Sequence, residues 1–144
     1  RLSSITMRAE VLDEFERRAI AGVWSGELDL DEGLRDLRLY LDPQGTCTSA
    51  LCSSSCQWEA RAERQKGDGT RPLHLKLWLG SLLLEGRAER KSSLRCTSVE
   101  GAVLEGIEDT VYAGRFRMNL ILPAVDENEL VRLQEQHEAQ ISRR

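Results

Sequence analysis

Tyr112-Ala113-Gly114-Arg115-Phe116-Arg117-Met118-Asn119-Leu120-Ile121-Leu122 is the stretch that decides the fold class. Tyr112, Gly114, Phe116, Met118, Leu120 and Leu122 share one face, and Ala113, Arg115, Arg117 and Asn119 share the other, with Ile121 as the interruption. A period of two marks a half-buried β-strand, because successive Cβ atoms of an extended chain point to opposite sides. Working outward, the alternation returns along the chain. Trp24, Gly26, Leu28 and Leu30 oppose Ser25, Glu27 and Asp29, and Leu37, Leu39 and Leu41 oppose Arg38, Tyr40 and Asp42. Trp58, Ala60 and Ala62 oppose Gln57, Glu59, Arg61 and Glu63. Leu73, Leu75, Leu77 and Leu79 oppose His74, Lys76 and Trp78. After Gly80-Ser81, Leu82, Leu84, Gly86 and Ala88 oppose Leu83, Glu85, Arg87 and Glu89, which outlines a hairpin. Residues 94–104 form a less regular strand, with a bulge expected around Gly101.

Turn chemistry separates these stretches. In Asp42-Pro43-Gln44-Gly45, proline pre-sets φ and glycine closes the turn; Lys66-Gly67-Asp68-Gly69 turns the chain again. Strands in sequence without intervening helices predict an antiparallel meander rather than βαβ units. A long meander leaves two open edges unless it closes. Gly26, Ala60, Ala62, Gly86, Ala88 and Gly114 on the inner face permit sharp coiling, so the expected fold is mainly β, an up-and-down antiparallel barrel of seven or eight strands. A two-layer β-sandwich is the competing architecture.

A helix is expected at each end. Met7, Val11, Phe15 and Ala19 recur at helical spacing over residues 7–21, before Gly22. Asp126 with Glu129 resembles a capping box and starts a second helix over 126–141, whose apolar stripe is narrow. The chain of 144 residues is read as a single domain over 1–144.

A formal net charge of −4 disfavours a general nucleic-acid binder, which needs a cationic surface to neutralise phosphates. Residues 73–84 are the longest apolar region. They contain Lys76 and fall short of the ~20 residues that a spanning helix needs, so no transmembrane segment is expected. The chain starts at Arg1, and an organellar setting, plastid or mitochondrial, after removal of a leader is the expectation.

Cys47, Cys52 and Cys56 lie in the Ser/Thr-rich run 46–55 at spacings that match no paired zinc pattern, and with Cys96 they are read as loop cysteines, thiol or disulfide-bonded. No metal or cofactor is expected. Of the two histidines, His74 faces away from the leucines and His137 lies in the polar C-terminal helix, so neither reads as a buried catalytic base. Gly101 to Gly106 has the glycine spacing of a phosphate loop, but Ile107-Glu108 stands where Lys and Ser or Thr are needed. A non-catalytic protein is the expectation.

A helix leading into Gly22-Val23-Trp24, an up-and-down meander and a helix after the last strand together resemble the lipocalin-like (calycin) barrels. The resemblance implies that Trp24 lies across the closed end of the barrel, with Arg115 or Arg117 from the last strand packed on its indole. The Thr-Asp-Tyr signature of secreted lipocalins is absent.

Two functions follow. In the leading one, the protein is an accessory or assembly subunit of a larger protein complex. It holds partners through its terminal helices and outer face, where alternation places Trp78, Leu83, Arg61, Arg64, Arg87 and Arg90. The competing one is a carrier of a small apolar ligand, a pigment or fatty acyl chain, along Trp24, Leu28, Phe116 and Met118.

Overall fold

Eight strands close into one antiparallel barrel in simple sequence order: β1 (Gly22–Leu30), β2 (Gly33–Leu41), β3 (Thr46–Ser49), β4 (Cys56–Ala62), β5 (Leu73–Leu79), β6 (Leu82–Ala88), β7 (Ser98–Glu105) and β8 (Val111–Pro123). A helical turn at 17–20, α1, precedes β1, and a helix, α2 (Glu127–Ser142), follows β8. This computed structural model describes residues 17–50, 56–62, 72–88, 95–106 and 110–142. Of the helix expected over 7–21, a helical turn is described at 17–20, and residues 7–16 of that expectation lie outside the described residues.

The turn between β2 and β3 works as its residues suggest; the one expected at residues 66–69 lies outside the described residues. Asp42 Oδ1 accepts from the Gln44 amide at 2.8 Å, the Gly45 amide donates to Asp42 O at 3.0 Å, and Gly45 takes φ +103°, open to glycine and strained for other residues. Closure comes from β8, which pairs with β7 on one side and β1 on the other, so the ribbon has no open first or last edge. The sandwich is thereby excluded.

Three expectations need correction. Residues 46–49, read as a cysteine-bearing loop, form β3, in which Cys47 opposes Cys56 of β4 with both side chains in the core; Cys96 is buried too. Threonine and serine suit a strand when every second side chain is sealed inside, and the segment is too short for periodicity to reveal this. The bulge expected in residues 94–104 shows its register shift there, at Val103/Leu104, but the extra residue belongs to the partner strand, and a second bulge occurs at the other end of β8. In the β7/β8 ladder, Val103 opposes Gly114 while Leu104 opposes Tyr112, leaving Ala113 extra; in the β1/β8 ladder, Val23 opposes Leu122 while Trp24 opposes Leu120, leaving Ile121 extra. Each extra residue reverses the parity beyond it. Tyr112 and Leu122, assigned to the core face, are consequently 60% and 63% exposed.

Inside, Trp24, Leu28, Leu37, Leu75, Leu77, Leu84 and Met118 are fully buried in one continuous cluster. One end of the barrel is sealed by backbone as well as side chains. The Trp24 indole N–H donates to Ile20 O at 2.8 Å, and the Trp58 indole N–H is shared between Asp42 O at 3.0 Å and Thr46 O at 2.9 Å. Arg17 Nε donates to Pro43 O at 3.1 Å, and the Ala124 amide donates to Ala21 O at 3.0 Å.

The narrow stripe of α2 yields a small contact. Leu130 is buried with Ala19 and Val125 in a second cluster, Arg18 and Glu129 form an ion pair at 3.2 Å, and Arg95 donates to Val125 O. Leu130→Ala should cost about 2–3 kcal/mol of docking, since deleting a buried leucine leaves a cavity. Hydrogen exchange checks this: α2 amides should lose protection while β5 and β6 amides keep theirs. No helix among the described residues is long and apolar enough to cross a membrane.

Candidate functional site

Outward side chains fall into rows because the strand registers bring alternate residues of neighbouring strands side by side. In the row nearest the turn between β5 and β6, Trp78 opposes Leu83, Leu83 opposes Leu104, and Leu104 opposes Tyr112. This is an apolar row across β5, β6, β7 and β8. Trp78 is 39% exposed, Leu83 and Leu104 are half-buried, and Val111 beside Tyr112 is 65% exposed.

The next outward row is Asp29, Arg115, Ala102, Glu85, Lys76 and Glu59, crossing from β1 through β8 to β4. Beneath it lies a fully polar row of Asp36, Glu27, Arg117, Glu100, Arg87, His74 and Arg61. Opposite signs are interleaved, which suits a solvated sheet face. His74 Nε2 stands 3.8 Å from Glu85 Oε2. At the sealed end, Tyr40, Val23 and Leu122 form a shorter apolar row beside Ile121.

The structure thus brings Trp78 and Leu83 together as direct cross-strand neighbours and places Arg61 and Arg87 on one polar row. Arg64 and Arg90 lie outside the described residues. Leu104 and Tyr112 were missed: Tyr112 was counted on the wrong face because a one-residue bulge is invisible to a simple period. The adjacent apolar pairs Val103-Leu104 and Val111-Tyr112 were the available signal, since two neighbouring apolar residues at a strand end cannot both face inward.

The four residues named for an apolar ligand sit in the core. Leu28 opposes Phe116, and Trp24, Leu28, Phe116 and Met118 are 0, 0, 2 and 0% exposed, so protein atoms enclose them on all sides. Trp24 does lie at the sealed end, but the arginine contact implied by the calycin resemblance is not made. Arg115 and Arg117 have the parity opposite to Phe116 and are exposed on the outside, and Trp24 is held by Ile20 O instead.

Three grooves meet around Arg117 on the outer face. The widest, 650 Å³, is lined by Arg87, Arg115, Arg117, Glu100, Ser98 and Asn119, with Val99 and Gly101 completing it. The other two take in Glu27, Asp29 and Leu34 on one side, and Ser25, Gly26 and Asp36 on the other.

Fold and surface together define a closed eight-stranded antiparallel barrel with a filled interior and a patterned outer face. No family model, curated protein or solved structure matches the chain.

Proposed function

We propose that the protein is a non-catalytic accessory or assembly subunit that docks on larger protein partners through the outside of its barrel. One observation carries the proposal: the row Trp78, Leu83, Leu104 and Tyr112, apolar and at least partly exposed across four adjacent strands. Single exposed apolar side chains need no explanation, but an aromatic-flanked contiguous row is the composition found at the centre of protein interfaces. The polar rows below it supply the rim. The helix-barrel-helix order and the Trp24 seal also support a calycin-like plan within this proposal, although the arginine over the indole is replaced by a backbone acceptor.

Sedimentation of the tagged, full-length protein from its own cells tests the reading. The wild type should travel in an assembly far heavier than the 16.3 kDa chain, and Leu83→Asp should weaken the association about 30-fold and lower that fraction, as expected for a hot-spot loss near 2 kcal/mol. Ile121→Asp, at a position 60% exposed at the sealed end of the barrel, should leave it unchanged. A wild-type protein that travels as a lone monomer overturns the proposal. The carrier alternative requires ligand space that Trp24, Leu28, Phe116 and Met118 themselves fill; a pigment or acyl chain retained in native mass spectrometry would favour it instead.

A further inference from the structure

We infer that Cys47 and Cys56 are a redox-sensitive pair, which a small disulfide oxidant converts into a cross-strand disulfide that staples the shortest seam of the barrel. This device is independent of the docking function proposed above.

The register sets the two residues directly opposite each other, Cys47 on β3 and Cys56 on β4. Directly opposed Cα atoms of an antiparallel pair lie about 4.5–5.5 Å apart, inside the range of about 4.4–6.8 Å that a disulfide spans. Both side chains turn inward, with Cys47 0% and Cys56 5% exposed, so the two sulfurs share one face of the ladder. Both residues are thiols in the structure. Cys96, also buried, precedes β7 and lies in no strand register.

The position of the pair gives it leverage. β3 is four residues long, and its register covers Leu39, Tyr40 and Leu41 of β2 but only Cys56 and Gln57 of β4. Each of the other ladders runs six residues or more, so β3 is where the barrel opens locally at least cost. The Trp58 indole holds the start of β3 through Thr46 O, and Ser49 Oγ donates to Arg38 O at 3.1 Å at its end. Burial keeps both thiols slow to react while β3 is seated. Oxidation therefore proceeds when β3 lifts, and the bond closes as it reseats.

With glutathione disulfide as the oxidant, the exchange balances in two steps. The thiolate of Cys56, the less enclosed of the two, attacks one sulfur of the glutathione disulfide, which gives a mixed disulfide and releases one glutathione thiolate. The Cys47 thiolate then displaces the second glutathione from Cys56 Sγ, and the bond between Cys47 and Cys56 forms. Two electrons pass from the cysteine pair to the glutathione disulfide, and the two protons of the cysteine thiols end on two glutathione thiols.

The test compares the whole folded chain kept in reduced glutathione with the same chain exposed to oxidised glutathione. After oxidation, peptide mapping without reduction should find Cys47 linked to Cys56 with the loss of two hydrogen atoms. The β3 amides should exchange about 30-fold more slowly than in the reduced sample, the lower end of what a disulfide contributes. Cys52→Ser should leave both results unchanged, and Cys47→Ser should erase the difference in exchange. The mapping uses the wild type, so it decides the matter even where Cys47→Ser fails to fold. A link from Cys47 or Cys56 to Cys52 or Cys96, the absence of any link while near-UV circular dichroism shows the native fold, or β3 exchange that is equal in the two samples overturns the inference. An exchange difference that survives Cys47→Ser does so too.

Discussion

Gly26→Ala should prevent the barrel from closing. A Cβ built on Gly26 would stand 1.9 Å from Arg117 O and 2.5 Å from Met118 Cα, both backbone atoms of β8, so no side-chain rotation can relieve the contact. β1 and β8 are the pair that joins the ends of the meander, and their separation exposes the seam and the leucine core behind it. The expected loss exceeds about 4 kcal/mol, a large part of the ~5–15 kcal/mol that stabilises a domain. Gly101→Ala should behave alike, because its Cβ would meet Glu85 O at 2.0 Å. Gly33→Ala isolates the conformational component: nothing lies within 4 Å of its Cβ, and only φ +126° is unfavourable, costing about 1–3 kcal/mol. Urea denaturation and near-UV circular dichroism check the series. Equal losses at Gly26 and Gly33 would show that close approach of the strands is not what glycine provides at Gly26.

Trp24→Ala is expected to cost about 3–5 kcal/mol. The indole is fully buried where α1 meets β1, and its removal leaves a cavity at the sealed end and withdraws the N–H from Ile20 O. Trp24→Phe separates the two contributions: it keeps an aromatic ring but loses the bond, for about 1–3 kcal/mol from the buried carbonyl left unpaired. Trp78→Ala should cost under about 1 kcal/mol, because that ring is already 39% exposed. The order alanine at 24, phenylalanine at 24, alanine at 78 in denaturation midpoint is the readout. A Trp78 variant as damaging as Trp24→Ala would mean that the outer row belongs to the stabilising core and is not a docking surface.

Dyad alternation was a reliable guide where a strand is long and one-sided. The inner leucines of β2 and β5 and the hairpin between β5 and β6 are legible in the chain because a single face of each strand is buried. It failed where one residue is inserted. Nothing in Ala113 or Ile121 announces a bulge, yet each turns its neighbours over, sending Tyr112 and Leu122 outward. It failed as well where a strand is short: Thr46–Ser49 spans too few residues for a pattern, and its strand state depends on the edges of β2 and β4 that receive it.

Of the candidate site, Trp78 and Leu83 were readable as outward side chains from local sequence. Their union with Leu104 and Tyr112 was not, because a row runs perpendicular to the chain and is assembled from registers. The same holds for the groove. Arg115 and Arg117 are plainly on one face of one strand, but their exposure beside Arg87, and not over Trp24, is settled only once β8 is wedged between β7 and β1.

By itself, the sequence determined the strand character of the chain, its closing turns, its leucine interior and the helices at its ends, since these follow from local φ/ψ preference and a period of two. Only the tertiary structure decided which apolar side chains remain outside and which charges share a groove. Those properties belong to cross-strand register, and register is fixed by bulges and by the closure of β8 on β1, interactions between residues far apart along the chain.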